Sequence, residues 1–133
     1  MTNLKVKKTE FLIRDSYGDV AHKAWVSALD GQPRGETLEC VNVFDCEIND
    51  ADFSDSTLSL ATFVQCVFRH CCFNRTIFEG CRLDSCRFEE CSLIETKFCR
   101  APIGALTTLC GNDFDSSTLS NVDFTGATIT QAT

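Results

Sequence analysis

The sequence predicts an all-β solenoid, a chain that winds in stacked coils around its own apolar core. Two regularities carry this reading. From Leu38 a bulky apolar residue returns at every fifth position: Leu38, Val43, Ile48, Phe53, Leu58, Phe63, Phe68, Phe73, Phe78, Leu83, Phe88, Leu93, Phe98 and Ile103. After a one-residue insertion within "GALTTL" the series resumes as Leu109, Phe114, Leu119, Phe124 and Ile129. Two positions before each of these sits a residue that is mostly small: Val41, Cys46, Ala51, Ser56, Ala61, Cys66, Cys71, Thr76 and so on. A period of five is neither the 3.6 of a helix nor the 2 of a simple strand. Positions two apart in an extended chain point the same way, so the small and the bulky residue share the inner side and the chain turns before the next unit. A short unit that cannot bury its own face must stack on copies of itself.

The first 35 residues lie outside this repeat. "LKVKKTEFLI" reads as extended. "DVAHKAWVSALDG" reads as a short amphipathic helix, with Val20, Ala24 and Ala28 on its apolar side and Gly31 ending it. The open end of a solenoid needs a cover. Residues 1–35 are therefore expected to form a small α/β cap, and residues 36–133 the solenoid.

The units "ADFSD", "CCFNR", "CRLDS", "CRFEE" and "VDFTG" resemble those of the pentapeptide-repeat family. Its pattern is a small residue, Asp or Asn, Leu or Phe, then two variable residues. The resemblance covers residues 36–133 and implies a right-handed, four-sided β-helix of roughly five coils, with four units per coil. Residues 20 apart should then stack at the strand spacing of about 4.8 Å, giving a rod about 24 Å long. Glu36 and Val41 stand in the small position and predict a loosely formed first coil.

Ten cysteines invite a chemical reading. Six of them, Cys46, Cys66, Cys71, Cys81, Cys86 and Cys91, occupy the small inward slot. There a free cysteine acts as a small hydrophobe. Their spacing is C-x-x-x-x-C, which sends neighbours to different sides of the rod; a zinc site needs ligands that converge. Stacked side chains suit disulfide geometry poorly. Cys40, Cys72, Cys99 and Cys110 fall in outward positions. His70 and Cys72 lie two apart across a corner with no orienting third group, which reads as a solvated surface pair. No Gly-rich phosphate loop, G-x-S-x-G or H-E-x-x-H motif is present. A core filled by Phe and Leu leaves no cavity for a substrate. The chain is expected to be non-enzymatic, with no cofactor and no metal.

The remaining signal is charge. The formal net charge is −7, distributed unevenly. Residues 1–35 hold six basic and four acidic side chains, whereas residues 36–133 hold fifteen acidic and six basic ones. Such a chain should not bind nucleic acid or acidic membranes directly, and it can attract a basic protein surface. On a strict 20-residue coil, one side should carry 46–50, 66–70, 86–90 and 107–111, with Glu47, Asp50, Glu89 and Glu90. The next side should carry Asp52, Asp55, Glu95, Asp113 and Asp115. These nine, with Asp45, are the expected partner-binding face. Duplex DNA carries one charge per roughly 1.7 Å of axis, or about 14 over such a rod. The rod's net −9 is within a factor of two of that.

The resemblance adds partners. Well-known pentapeptide-repeat proteins imitate B-form DNA and bind type II topoisomerases, and small phage-encoded inhibitors of CRISPR surveillance complexes include a member of this kind. The expectation is a cytoplasmic, monomeric or weakly dimeric DNA mimic acting in a bacterial host. Its first expected role is that of an anti-CRISPR protein filling a DNA- or PAM-binding cleft; its second is binding to a topoisomerase. A structural repeat with no specific partner is the remaining alternative.

Overall fold

A computed structural model describes residues 9–131. Every regular element in it is a strand. The N-terminal pair is β1 (Thr9–Asp15) and β2 (Val20–Val26). The rest are short: β3 (Thr37–Glu39), β4 (Asn42–Phe44), β5 (Cys46–Asn49), β6 (Thr57–Ser59), β7 (Thr62–Val64) and β8 (Val67–Arg69). They continue as β9 (Ile77–Glu79), β10 (Arg82–Asp84), β11 (Arg87–Glu89), β12 (Ser92–Ile94) and β13 (Lys97–Cys99). β14 (Thr107–Cys110), β15 (Thr118–Ser120) and β16 (Ala127–Thr130) complete the chain.

From β3 onward the strands pair with one another only in parallel, coil on coil, and form four walls. Wall A holds β5, β8 and β11. Wall B holds residues 51–55 and 71–75, β12 and β15. Wall C stacks β3, β6, β9 and β13, and wall D stacks β4, β7, β10, β14 and β16. The fold is thus the expected all-β solenoid, of roughly five turns. Five levels on wall D, spaced by about 4.8 Å, rise about 19 Å.

The bulky series fills the axis. Phe53, Phe63, Phe68, Phe73, Phe78, Phe88 and Phe98 are fully buried with Leu58, Leu83 and Leu93. Rings one coil apart stack: Phe53 on Phe73 at 5.0 Å and 3°, Phe68 on Phe88 at 4.8 Å, and Phe78 on Phe98 at 4.8 Å. Neighbouring columns meet edge to face, as in Phe68 against Phe73 at 5.4 Å and 77°. Both arrangements suit the aromatic quadrupole.

Each wall ends in a residue with left-handed backbone. From Cys40 to Glu95 every fifth residue has positive φ, including Leu60, Gln65 and Arg75. The N–H of a corner residue donates to the coil above, as Asp50 does to the Arg69 carbonyl at 2.9 Å and Leu60 to that of Glu79 at 2.9 Å. These bonds help hold a conformation that otherwise costs roughly 1–2 kcal/mol at a non-glycine residue.

The structure departs from the expected elements in three places. First, no helix forms in the described part of the cap, residues 9–35. Val20–Val26 is β2, paired antiparallel with β1, and Arg14 and Asp15 of β1 pair in turn with Glu47 and Cys46 of β5. Alternation of Val26 and Ala24 with Trp25 and Lys23 satisfies a strand as well as a helix, and wall A offers an edge to extend. The cover itself is present: Phe11, Ile13 and Val26 are buried, and Phe11 meets Phe53 edge to face at 5.6 Å. Of the segment expected to be extended, Thr9–Ile13 lies in β1 and residues 4–8 lie outside the described residues.

Second, the first coil is regular. Val41 is fully buried, and the Glu36 carboxylate turns to the cap and accepts the Ser27 N–H at 3.0 Å.

Third, the insertion is six residues long. Leu83 stacks on Leu109 and Arg82 on Thr108, 26 positions apart rather than 20. Residues 101–106 leave the wall as a loop, and Ile103, expected inside, is 77% exposed. Six is one unit plus one residue, so the period-five rhythm resumes beyond the loop and hides the missing wall segment. The loop is pinned by Ala101 N–H to the Ala105 carbonyl and by Arg100 to the Gly104 carbonyl, each at 2.8 Å.

Candidate functional site: the acidic walls

The six-residue loop moves every later residue to a different wall. Thr107–Cys110 stacks on wall D, not wall A. Asp113 lies over Arg87 on wall A rather than beside Asp52 on wall B. Wall A therefore gathers six acids, Glu47, Asp50, Glu89, Glu90, Asp113 and Asp115, against Arg69 and Arg87. Wall B keeps Asp52, Asp55 and Glu95 against Arg75. Asp45 is exposed at the corner between walls D and A. All ten expected residues thus lie on walls A and B or at their edge, in a different distribution from the expected one.

The outward positions follow from the repeat. In each unit the second and fourth residues flank the buried centre, and the fifth makes the corner. Side chains in equivalent positions of successive coils stand one strand spacing apart, close enough for opposite charges to pair. Arg69 bridges three coils, meeting Glu47 at 3.0 Å and Glu89 at 2.7 Å; Arg87 meets Glu89 at 2.7 Å. On wall B, Arg75 meets Asp55 at 2.7 Å. Arg34 of the cap reaches Asp52 at 2.8 Å and Asp30 at 2.6 Å. At the corner between the walls, His70 Nδ1 lies 3.3 Å from Glu90.

These pairs set the local electrostatics. The hydrogen bond from Arg75 holds the Asp55 carboxyl below its ordinary range, and that from Arg34 does the same for Asp30. Asp52 is also lowered: burial opposes its charge, but bonds from Ser54 and Arg34 outweigh it. Asp50, Glu95, Asp113 and Asp115 make no ion pair within the described residues. On walls A and B the free charge therefore lies at the corner residues Asp50 and Glu95 and toward the C-terminal end, while Glu36, Glu39, Glu79 and Asp123 on wall C are likewise unpaired within the described residues. Summed acidity foresaw the walls. It missed the arginine ladder, whose sequence signal is an opposite charge 20 positions away, as in Asp55 and Arg75.

The inward cysteines are all buried, and all ten cysteines are free thiols. Their role is more specific than that of a hydrophobe. The thiol of Cys71 donates to the Ile48 carbonyl at 3.3 Å, Cys86 to Phe63 at 3.3 Å and Cys91 to Phe68 at 3.3 Å. Thr76 and Thr96 do the same with their hydroxyls, to Phe53 at 2.6 Å and Phe73 at 2.7 Å. Burial pushes the Cys81 thiol up to about 12 and that of Cys46 to about 11, so both are protonated and unreactive at neutral pH. Cys40 is exposed, and Cys72, Cys99 and Cys110 are half-buried. Among the described residues no group of three or more His, Cys, Asp or Glu side chains is placed to hold a metal ion.

Residues 46–84 match the family model of pentapeptide repeats, in eight copies. Among solved structures, a trypsin-treated form of QnrB1, a plasmid-mediated fluoroquinolone resistance protein, is 18% identical with a TM-score of 0.40. That match covers 70% of this chain and 55% of the QnrB1 chain, so this chain spans little more than half of that protein's length. A pentapeptide repeat protein from the thylakoid lumen of Arabidopsis thaliana is 16% identical with a TM-score of 0.35, covering 75% of this chain and 74% of that one. Rfr23, from the cyanobacterium Cyanothece 51142, is 12% identical with a TM-score of 0.33, covering 70% and 87%. No curated protein matches the chain.

Proposed function

We propose that this pentapeptide-repeat chain is a non-enzymatic acidic docking rod. It lays walls A and B into the basic cleft of a DNA-binding protein and keeps duplex DNA out. The observation that carries the proposal is the corrected register: wall A alone presents six acids against two arginines, and it adjoins a second acidic wall. A rigid face of one sign complements a Lys/Arg-lined cleft and steers the encounter. The solenoid is stiff, with its side chains held at strand spacing, so little ordering accompanies docking.

The first target class is a type II topoisomerase. The repeat resembles that of well-known members that bind these enzymes. A CRISPR surveillance complex is the second target class. Its DNA- or PAM-binding cleft presents the same basic chemistry. Either target would place the action inside a bacterial cell.

The test is competition. A purified bacterial type II topoisomerase and a purified surveillance complex are each loaded with fluorescent duplex DNA and titrated with this chain at about 50 and 300 mM salt. Release of DNA from one of them, weakening by roughly tenfold or more at the higher salt, supports the proposal and names the target. Release from neither at about 50 mM salt, or binding that leaves the DNA in place, overturns it.

A further inference from the structure

The sheet of wall A does not stop at the solenoid. Its strand order is β11–β8–β5–β1–β2, so the cap hairpin extends it. Residues directly opposite each other on paired strands stand on the same face. One outward row therefore runs from the cap along wall A: Val20, Arg14, Glu47, Val67, Arg87 and Asp113. Beyond Arg14, β1 parts from β5, and Leu12, Arg14, Glu47 and Asn49 line the cleft between them. The outer faces of the cap hairpin and of wall A are thus one surface.

At the far end of the hairpin that surface holds a cation on an aromatic ring. Glu10 of β1 stands opposite Trp25 of β2, and Lys23, two positions before Trp25, shares their face. The Lys23 ammonium lies 5.4 Å from the centre of the Trp25 ring and 3.9 Å from the Glu10 carboxylate. Indole holds a cation better than any other aromatic side chain, and the carboxylate beside it adds a full opposite charge. Trp25 is 54% exposed, and the side chains of Lys23 and Glu10 are 49% and 42% exposed. An ion pair this open to water is weak, and Lys23 sits on a flexible four-carbon stem. Arginine is the stronger ligand for such a place. Its planar guanidinium is less hydrated than an ammonium, stacks on a ring and forks onto a carboxylate.

We propose that Glu10 and Trp25 form a receptor for one arginine side chain of the docked protein, and that Lys23 fills this place in the free chain. The receptor rests on the docking reading above and extends that face from walls A and B to the cap. As wall A enters the basic cleft, an arginine at the cleft's rim lays its guanidinium on the Trp25 ring and pairs with Glu10. Lys23 swings out into solvent. Trp25 then becomes an aromatic anchor beside a polar contact, the kind of residue that dominates binding energy at interfaces. The acids of walls A and B attract any basic cleft, whereas the receptor favours one with an arginine at the matching place.

The chain has one tryptophan, so its fluorescence reports on Trp25 alone. The first probe is a hexa-arginine peptide without aromatic residues, added at about 50 mM salt. It should shield Trp25 from quenching by acrylamide, and a hexa-lysine peptide should shield it less at equal occupancy. Lys23→Met, which empties the receptor, should tighten the shielding by roughly threefold, and Glu10→Gln should weaken it by about as much. Lys97→Met, the same loss of charge on wall C, should leave it nearly unchanged. The second probe is the DNA-loaded target of the competition described above. The variant Glu10→Gln with Trp25→Ser should keep its melting temperature within a few degrees and need roughly tenfold more chain to release the DNA. If that variant releases DNA as well as the wild type does, the receptor is overturned and the docking reading stands. The same follows if the arginine peptide binds without shielding Trp25, or if Lys23→Met and Lys97→Met act alike. A wild-type chain that releases no DNA from either target overturns the docking reading and the receptor with it.

Discussion

The thiol of Cys81 donates to the carbonyl of Leu58 in the preceding coil, 3.1 Å away. Thr76 bonds its hydroxyl to Phe53 across the same interval of 23 residues. The small inward slot thus wants a small side chain that can also donate. Cys81→Ser and Cys86→Thr should keep most of the stability. Cys81→Ala should lose roughly 0.5–1.5 kcal/mol, the net worth of one hydrogen bond. Cys81→Leu should cost more, because extra methylenes strain a packed core. Urea unfolding of the four variants measures the order.

Thiol reactivity should follow burial. Under native conditions Cys40 should react first with iodoacetamide, and Cys72, Cys99 and Cys110 more slowly. The six inward cysteines should be modified only after denaturation. Mass spectrometry of timed samples counts them.

Much of this was legible in the chain. Fourteen apolar residues at strict intervals from Leu38 to Ile103 define the unit, and the inward place of Cys66 or Cys91 follows from counting. The loop at 101–106 was not legible. Its length is one unit plus one, so Ile103 falls on the rhythm although it lies in solvent. The register of Asp113 and Asp115 was lost with it. The cap failed for a different reason: "VAHKAWV" fits either period, and the edge of wall A decided for a strand. Left-handed backbone at Leu60 or Arg75 has no signature in residue type; it is imposed by the four-sided coil.

Gly80 marks where the loop closes on the rod. A Cβ there would stand 2.7 Å from the Ala101 Cβ and 2.9 Å from Leu60 Cδ2, on a backbone with φ of +61°. Gly80→Ala should therefore lower the melting temperature by several degrees, through strain of about 1–2 kcal/mol and displacement of the loop. Ser85→Gly, at a corner with φ of +57°, relieves the strain but loses the exposed hydroxyl bond to Asp84 and loosens the unfolded chain, so it should leave the melting temperature nearly unchanged. Calorimetry separates the two.

Asp55 and Asp30 have lowered pKa values in the folded chain because Arg75 and Arg34 donate to them. A carboxyl lowered on folding adds stability that is complete above its unfolded value near 3.9. That stability disappears as pH falls through the lower folded value. The melting temperature should drop below about pH 4, and Arg75→Met should flatten part of that drop while changing little at pH 7. A pH series of melting curves shows whether it does.

The central claim is that the free acids of walls A and B, and not acidity in general, engage a basic cleft. Its most direct test is a charge-matched comparison. One variant neutralises Asp50, Glu95, Asp113 and Asp115 as Asn or Gln. The other neutralises Glu39, Glu79, Asp84 and Asp123 on walls C and D. Affinity for the DNA-binding target is then measured at about 50 mM salt. The first variant should lose roughly a hundredfold or more, and the second no more than a few-fold. Equal losses in the two variants would contradict the account, because the partner would then be reading net charge rather than these walls.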